Sequence, residues 1–246
     1  MSKLKESAEK ASFLGKSNRE VVIIDYGAGN IQSIKFALQR LGYTAILSNN
    51  AKEIEAASKV IFPGVGEAGS AMKKLKESGL DKLIPNLKQP VLGICLGMQL
   101  MCNSSEEGNT KGLGIFNCIV KKFVNNTSLE AIGKEEKQRL KIPQIGWNKI
   151  YNLQSYLFNP HSNNPKDTVK ENEYMYLIHS YYVPVCKNAI AITKYGVEYS
   201  SALQKDNFYG VQFHPEKSGK IGSRILSNFL SIPSKQKTIN SKVETL

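Results

Sequence analysis

The sequence contains no apolar stretch of bilayer-spanning length. Near its N-terminus the longest uninterrupted aliphatic run is Val21 to Ile24, and residues 1–20 lack the apolar centre of a leader peptide. No membrane role is expected. Cysteine is scarce: Cys95, Cys102, Cys118 and Cys186 are too few for a disulfide-stapled secreted scaffold and too scattered for a zinc site. The simplest reading is a reduced, cytoplasmic protein without a metal or cofactor. Also missing is a dense basic stripe interleaved with aromatics. The formal charge is +12, but about +4 of it sits in the two terminal stretches, and the other lysines are scattered or paired, as in Lys73-Lys74 and Lys121-Lys122. That pattern gives no footprint for nucleic acid. Gly15-Lys16-Ser17 matches the end of a phosphate-binding loop, yet the position where such a loop needs its first glycine is Lys10.

What is present suits a globular enzyme-sized chain: 246 residues, 41% hydrophobic and 22% charged, can bury a substantial core. Residues 1–20, polar and lysine-rich, are expected to form a flexible extension, residues 21–231 a single domain, and residues 232–246 a flexible tail. The domain opens with an apolar run of strand length, Val21 to Tyr26, closed by Gly27-Ala28-Gly29-Asn30. Asn30 is placed to cap a helix whose apolar residues Ile31, Ile34, Ala37, Leu38 and Leu41 follow a 3.6-residue period, with Gly42 at its end. Strands are expected over 43–48, 59–62 and 90–94, and helices over 51–57, 68–78, most of 80–88, and 96–102. Strands alternating with helices in this way imply a parallel sheet covered on both faces. From Leu113 onward short alternating or aromatic-rich strands take over, at 114–123, 144–151, 174–183, 189–195, 200–204 and 208–213, several of them antiparallel. Polar stretches 125–138 and 159–172 read as surface loops, and an amphipathic helix over 219–230 closes the domain.

The strongest local signal is Gly93-Ile94-Cys95-Leu96-Gly97, between an apolar strand and a helix. It has the form of a nucleophile elbow with cysteine at the apex. The flanking glycines leave room where side chains would collide, and a thiol at a helix head has its thiolate favoured by the dipole. A structural cysteine between two packing glycines fits the same letters. Gln212-Phe213-His214-Pro215-Glu216 supplies the missing base. In an extended segment His214 and Glu216 project from one face, so the carboxylate can orient the ring while the ring faces the thiol. Pro63-Gly64-Val65-Gly66 lies at a strand end, and the Val65 and Leu96 N–H groups are the expected oxyanion donors. A plain two-glycine turn is the alternative there.

Together with Asp25-Tyr26-Gly27-Ala28-Gly29-Asn30, Ser105-Glu106-Glu107-Gly108, Ile145-Gly146-Trp147-Asn148 and His179-Ser180-Tyr181, these motifs resemble the class I, triad-type glutamine amidotransferases. Within that family they are most similar to the glutaminase subunits of imidazole glycerol phosphate synthase, over about Val21 to Leu230. The resemblance implies a three-layer α/β fold with a flavodoxin-like, mostly parallel central sheet, helices on both faces and an antiparallel β extension. It implies that Cys95, His214 and Glu216 hydrolyse L-glutamine through a glutamyl thioester. Gly64, Gly66, Gln99, Glu107, Ser180 and Tyr181 match substrate-holding positions, with Glu107 opposite the α-ammonium. It further implies a heterodimer with a (β/α)8-barrel cyclase that consumes the ammonia, met by Asn30, Trp147, Tyr176 and Lys217. Glu107 also fits a solvated loop acid, and Trp147 a core residue. One departure is Glu67-Ala68, where many relatives place Ala-Phe. A paralogue feeding another acceptor shares the same motifs, and a non-catalytic scaffold for a barrel partner is the rival outside enzymology.

Overall fold

The computed structural model describes residues 21–124, 140–160 and 164–233. The expected extension 1–20, the loop 125–138, part of the loop 159–172 and nearly all of the tail 232–246 lie outside the described residues. Five strands form the parallel centre, in spatial order β2 (Ala45–Ser48), β1 (Val21–Ile24), β3 (Lys59–Phe62), β4 (Val91–Ile94) and β13 (Phe208–Val211). Every residue of β1, β3, β4 and β13 is buried, as the continuous apolar runs require of strands covered on both sides.

Alternation along β1 separates the two layers. Val22 and Ile24 pack with α2 (Ala51–Ala56), α3 (Ala68–Glu77), α4 (Leu80–Leu83) and α5 (Leu96–Leu100) through Ile54, Met72, Leu75, Leu80 and Met98. Val21 and Ile23 pack with α1 (Ile31–Arg40) and α6 (Gly219–Ser231) through Ile34, Leu38, Ile225 and Phe229. The architecture is the expected mostly parallel α/β sheet with helices on both faces.

Beyond β13 the sheet turns antiparallel. β12 (Val197–Lys205) pairs with β13 and with both β11 (Ala189–Tyr195) and β10 (Tyr181–Pro184). β7 (Phe116–Lys122) continues this antiparallel pairing beside β10, after which β5 (Cys102–Ser105) pairs parallel with β7 and β6 (Thr110–Lys111) antiparallel with β5. A separate two-stranded antiparallel sheet joins β8 (Gln144–Lys149) to β9 (Tyr174–His179).

Three local expectations need correction. The strand read over 174–183 is two strands, β9 and β10, in different sheets, broken at Ser180, whose carbonyl accepts from the Phe123 N–H at 3.0 Å. The helix read over 96–102 stops at Leu100, because Cys102 is drawn into β5 by pairing with Phe116 of β7. Asn30 precedes α1, but its side chain makes no capping hydrogen bond.

Candidate active site

Cys95 sits between β4 and α5 with φ 53° and ψ −113°. Left-handed backbone at a residue with a side chain is strained, and surrounding packing has to hold it. That packing is tight: an added Cβ on Gly64 or Gly97 would enter the opposing backbone, Gly64 against the Leu96–Gly97 peptide and Gly97 against the Phe62 carbonyl. The end of β3 and the start of α5 therefore lie backbone to backbone, which brings the segment holding Val65 beside Leu96. Gly66 has φ +96° with open space where a side chain would be, so its glycine answers a backbone requirement.

Register brings the second half of the site to the same place. In the parallel pair β4–β13, Ile94 stands opposite Val211, and the Cys95 N–H donates to the Val211 carbonyl at 2.8 Å. The chain continues from Val211 into Gln212, whose Nε2 approaches Cys95 Sγ at 3.7 Å. His214 follows two residues later. Its Nδ1–H donates to Glu216 Oε1 at 2.8 Å, and the ring lies close enough to the Cys95 sulfur for each to influence the other electrostatically, while that sulfur is itself 3.9 Å from the Ile178 carbonyl. The proximity of His214 and Glu216 has a different cause from the one expected. Glu216 lies in a 3-10 turn, 215–217, that begins at Pro215, rather than on an extended strand. Ser218 Oγ fastens this turn by donating to the His214 carbonyl at 2.7 Å while accepting from the Tyr176 N–H of β9 at 3.0 Å.

The two described histidines are held in opposite states. Burial works against the His214 imidazolium, but the neighbouring Cys95 sulfur and the hydrogen-bonded Glu216 carboxylate outweigh it and raise the ring to about 10. His179 is lowered to about 4, chiefly by burial; its bond to the Tyr181 carbonyl opposes the shift and the nearby His214 charge adds to it. The first ring is thus biased toward its protonated form and the second toward its neutral form.

The remaining residues divide into a floor and a rim. Gln99 is buried, and its Nε2 donates to the Tyr181 carbonyl and to Gln212 Oε1, both at 2.9 Å. Tyr181 thereby ties β10 to the elbow, with Ser180 at the break just before it. Glu107 Oε2 accepts from the Ala68 N–H at 2.9 Å, at the head of α3. Burial raises the Glu107 carboxyl, the Ala68 bond opposes this, and the neighbouring Glu67 charge adds to the rise. Glu67, the departure in sequence, caps α3 by accepting from the Gly69 and Ser70 N–H groups. Gln212 is the residue to which sequence reasoning gave no role. Its lone signal was its place in the His-Pro-Glu motif, two positions before His214. Tyr26 is likewise unassigned; its hydroxyl donates to the Pro63 carbonyl at 2.7 Å and steadies the turn facing the elbow.

Away from the thiol, the outer face of β8–β9 carries cross-strand pairs Ile145–Ile178, Trp147–Tyr176 and Lys149–Tyr174. Trp147 is 55% exposed, so it is a surface residue and not part of the core. Lys217 Nζ lies 5.8 Å from the Tyr176 ring centroid, and that ring is 6.5 Å from the His214 ring. Asn30 lies just before α1, a helix that contacts the 215–217 turn carrying Lys217.

An α/β sheet with a strained cysteine at the end of a parallel strand, near a buried imidazole–carboxylate pair, has the arrangement that a thiol hydrolase of the amidotransferase type requires. The family model "Glutamine amidotransferase class-I" matches residues 22–232, and the chain belongs to that family. Within it, the chain is 49% identical to the imidazole glycerol phosphate synthase subunit HisH of Bacteroides thetaiotaomicron, covering 87% of this chain and 100% of the relative. It is 44% identical to subunit HisH 2 of Methanococcus maripaludis, over 85% of this chain and 98% of that one. Among solved structures, a putative GMP synthase component from Thermoplasma acidophilum superposes with a TM-score of 0.61 at 18% identity, covering 86% of this chain and 92% of that one. That likeness bears on the fold alone.

Proposed function

We propose that the chain hydrolyses L-glutamine and delivers the ammonia to a cyclase partner, as the glutaminase subunit of an imidazole glycerol phosphate synthase. In this reading residues 21–231 act as one glutaminase domain. The Cys95 thiol passes its proton to His214 as its sulfur attacks the side-chain carboxamide carbon, and the oxyanion is met by the Val65 and Leu96 N–H groups. The C–N bond breaks as the His214 ring gives its proton to the departing nitrogen. Water then attacks the glutamyl thioester as His214 takes a proton from it, the C–S bond breaks to release glutamate, and His214 returns its proton to the sulfur to restore the thiol. Glu216 keeps the ring oriented and its charge compensated throughout. Glu107 receives the substrate α-ammonium, with Gly64, Gly66, Gln99, Ser180 and Tyr181 completing the pocket.

The observation that carries the reading is the 2.8 Å pair of His214 with Glu216, beside a thiol held in strained backbone. Support for a partner comes from the exposed aromatic and aliphatic face of β8–β9, joined through Tyr176 to His214. Direct transfer is favoured physically because ammonia released into neutral water is protonated and loses its nucleophilic pair. The test is Cys95→Ala in the complex with a (β/α)8-barrel cyclase. Glutamate release is expected to vanish while cyclisation supported by ammonium salts persists. Continued glutamate release would refute the chemistry, and cyclisation failing with both nitrogen sources would refute the assignment of the partner.

A further inference from the structure

Three of the four cysteines lie away from the elbow's chemistry, and two of those are in contact. Cys118 is on β7, and Cys186 is two residues beyond the end of β10. Their sulfurs are 2.7 Å apart, although the residues are separated by 68 positions in sequence. β7 and β10 are already paired, Tyr182 opposite Lys121 and Tyr181 opposite Lys122, so the backbones that carry the two thiols are fixed neighbours. Closing the remaining gap to the ~2.05 Å of an S–S bond requires side-chain movement of less than about 1 Å.

We propose that Cys118 and Cys186 are a redox modification site, a dithiol that a peroxide converts reversibly into an intramolecular disulfide. Access and chemistry assign the order of events. Cys186 is half-buried and reachable from solvent, whereas Cys118 is buried. The Cys186 thiol is lowered to about 6, first by the hydrogen bond from Cys118; burial opposes this, and the Asn188 and Ala189 N–H groups and Ser200 Oγ assist it. Cys118 is raised, first by that same hydrogen bond and then by burial.

Cys186 thiolate therefore attacks one oxygen of hydrogen peroxide. The O–O bond breaks, the sulfur is oxidised to a sulfenic acid, and the other oxygen leaves as hydroxide, which takes up a proton to become water. The Cys118 sulfur attacks the sulfenic sulfur, the S–S bond forms, and the S–O bond breaks. Its oxygen departs as water with the Cys118 proton. Two thiols have lost two hydrogens, and one peroxide has become two waters. The third thiol, Cys102, is fully buried, and its sulfur is directed at the Met98 carbonyl 3.7 Å away.

The test uses the full chain in a Cys95→Ala background, which removes the elbow thiol from the readout. After exposure to hydrogen peroxide, free thiols are alkylated and the peptides mapped by mass spectrometry. The expected result is one crosslink joining the Cys118 and Cys186 peptides, reversed by dithiothreitol, and absent in C118S and in C186S. The oxidised chain should also unfold at a higher temperature than the reduced chain, with that difference lost in C186S. Recovery of Cys186 as sulfinic acid with Cys118 alkylated overturns the proposal. Crosslinks between chains, or a crosslink through Cys102, overturn it equally.

Discussion

The sharpest mechanical demand in the site falls on Gly97, and Gly97→Ala turns it into a measurable quantity. The new Cβ would lie about 1 Å inside the 3.0 Å limit that real Cβ atoms respect, and the atom it meets is the backbone carbonyl oxygen of Phe62. No side chain can swing away to relieve it. Either α5 or the end of β3 must move by about an ångström, and overpacking of this kind costs roughly 1–3 kcal/mol of stability. The same movement separates the two backbones proposed to hold the oxyanion, with Leu96 on one and Val65 on the other. A misplacement of about 1 Å lowers a rate by on the order of 100-fold. The variant should remain folded, bind the partner, and lose about two orders of magnitude in glutamine hydrolysis measured as glutamate release. Gly79→Ala is the control. It also sits at positive φ (70°), with open space around it and no contact with the elbow. It should lose about 1 kcal/mol through backbone strain while keeping wild-type kcat/KM. If Gly97→Ala hydrolyses glutamine at the wild-type rate, the close packing of β3 on α5 does not position the catalytic backbone.

Glu216→Gln keeps a hydrogen-bond acceptor for His214 Nδ1 and removes the charge that helps hold the ring up at about 10. Because the raised value belongs to the folded state, its stabilising contribution is complete below the ordinary histidine value and is lost as pH rises toward 10. The variant should lose stability mainly below pH 10, and the alkaline limb of its kcat/KM profile should move to lower pH; an unmoved limb, read from glutaminase assays across pH, would count against Glu216 as the orienting charge. Glu67→Gln retains a capping acceptor on α3 but deletes a charge beside Glu107, so KM for glutamine should rise roughly two- to five-fold with kcat unchanged, the size expected of an exposed charge; an unaltered KM in steady-state kinetics contradicts that role. Trp147→Ala removes the most exposed large aromatic of the β8–β9 face and should weaken cyclase binding by on the order of 1–2 kcal/mol or more, with basal glutaminase activity retained; calorimetric affinity equal to wild type would move the interface elsewhere.

Much of this was legible in the letters, for physical reasons that differ from element to element. The central strands were visible because strands buried on both faces must be continuously apolar, and Lys59–Phe62 was bounded correctly by Pro63-Gly64. The elbow was visible because only glycine fits the close approaches on either side of Cys95. The break at Ser180 was not: nothing in an apolar, aromatic-rich run marks the point where its pairing passes from β8 to β7 and β12. Neither was β5, whose four residues are strand because of partners on β6 and β7 and carry no strong preference of their own. The contact between Cys118 and Cys186 escaped for the same reason. Sequence spacing argued that the cysteines were scattered, while tertiary pairing of β7 with β10 put two of them side by side.

The convergence of thiol and imidazole depends on register more than on either motif. Alternation past β13 sends Val211 and Phe213 into the apolar layer beside α1 and α6, where both are fully buried. Gln212 and His214, the intervening positions, are thereby turned toward the elbow, and Gln212 Nε2 approaches the Cys95 sulfur. Sliding β13 by one residue against β4 would exchange the two sets, placing a glutamine and a charged histidine in the hydrocarbon layer and two apolar side chains at the thiol. The apolar layer that stabilises the sheet is thus what selects the single register in which His214 can reach Cys95, so core packing and chemistry are fixed by the same alternation.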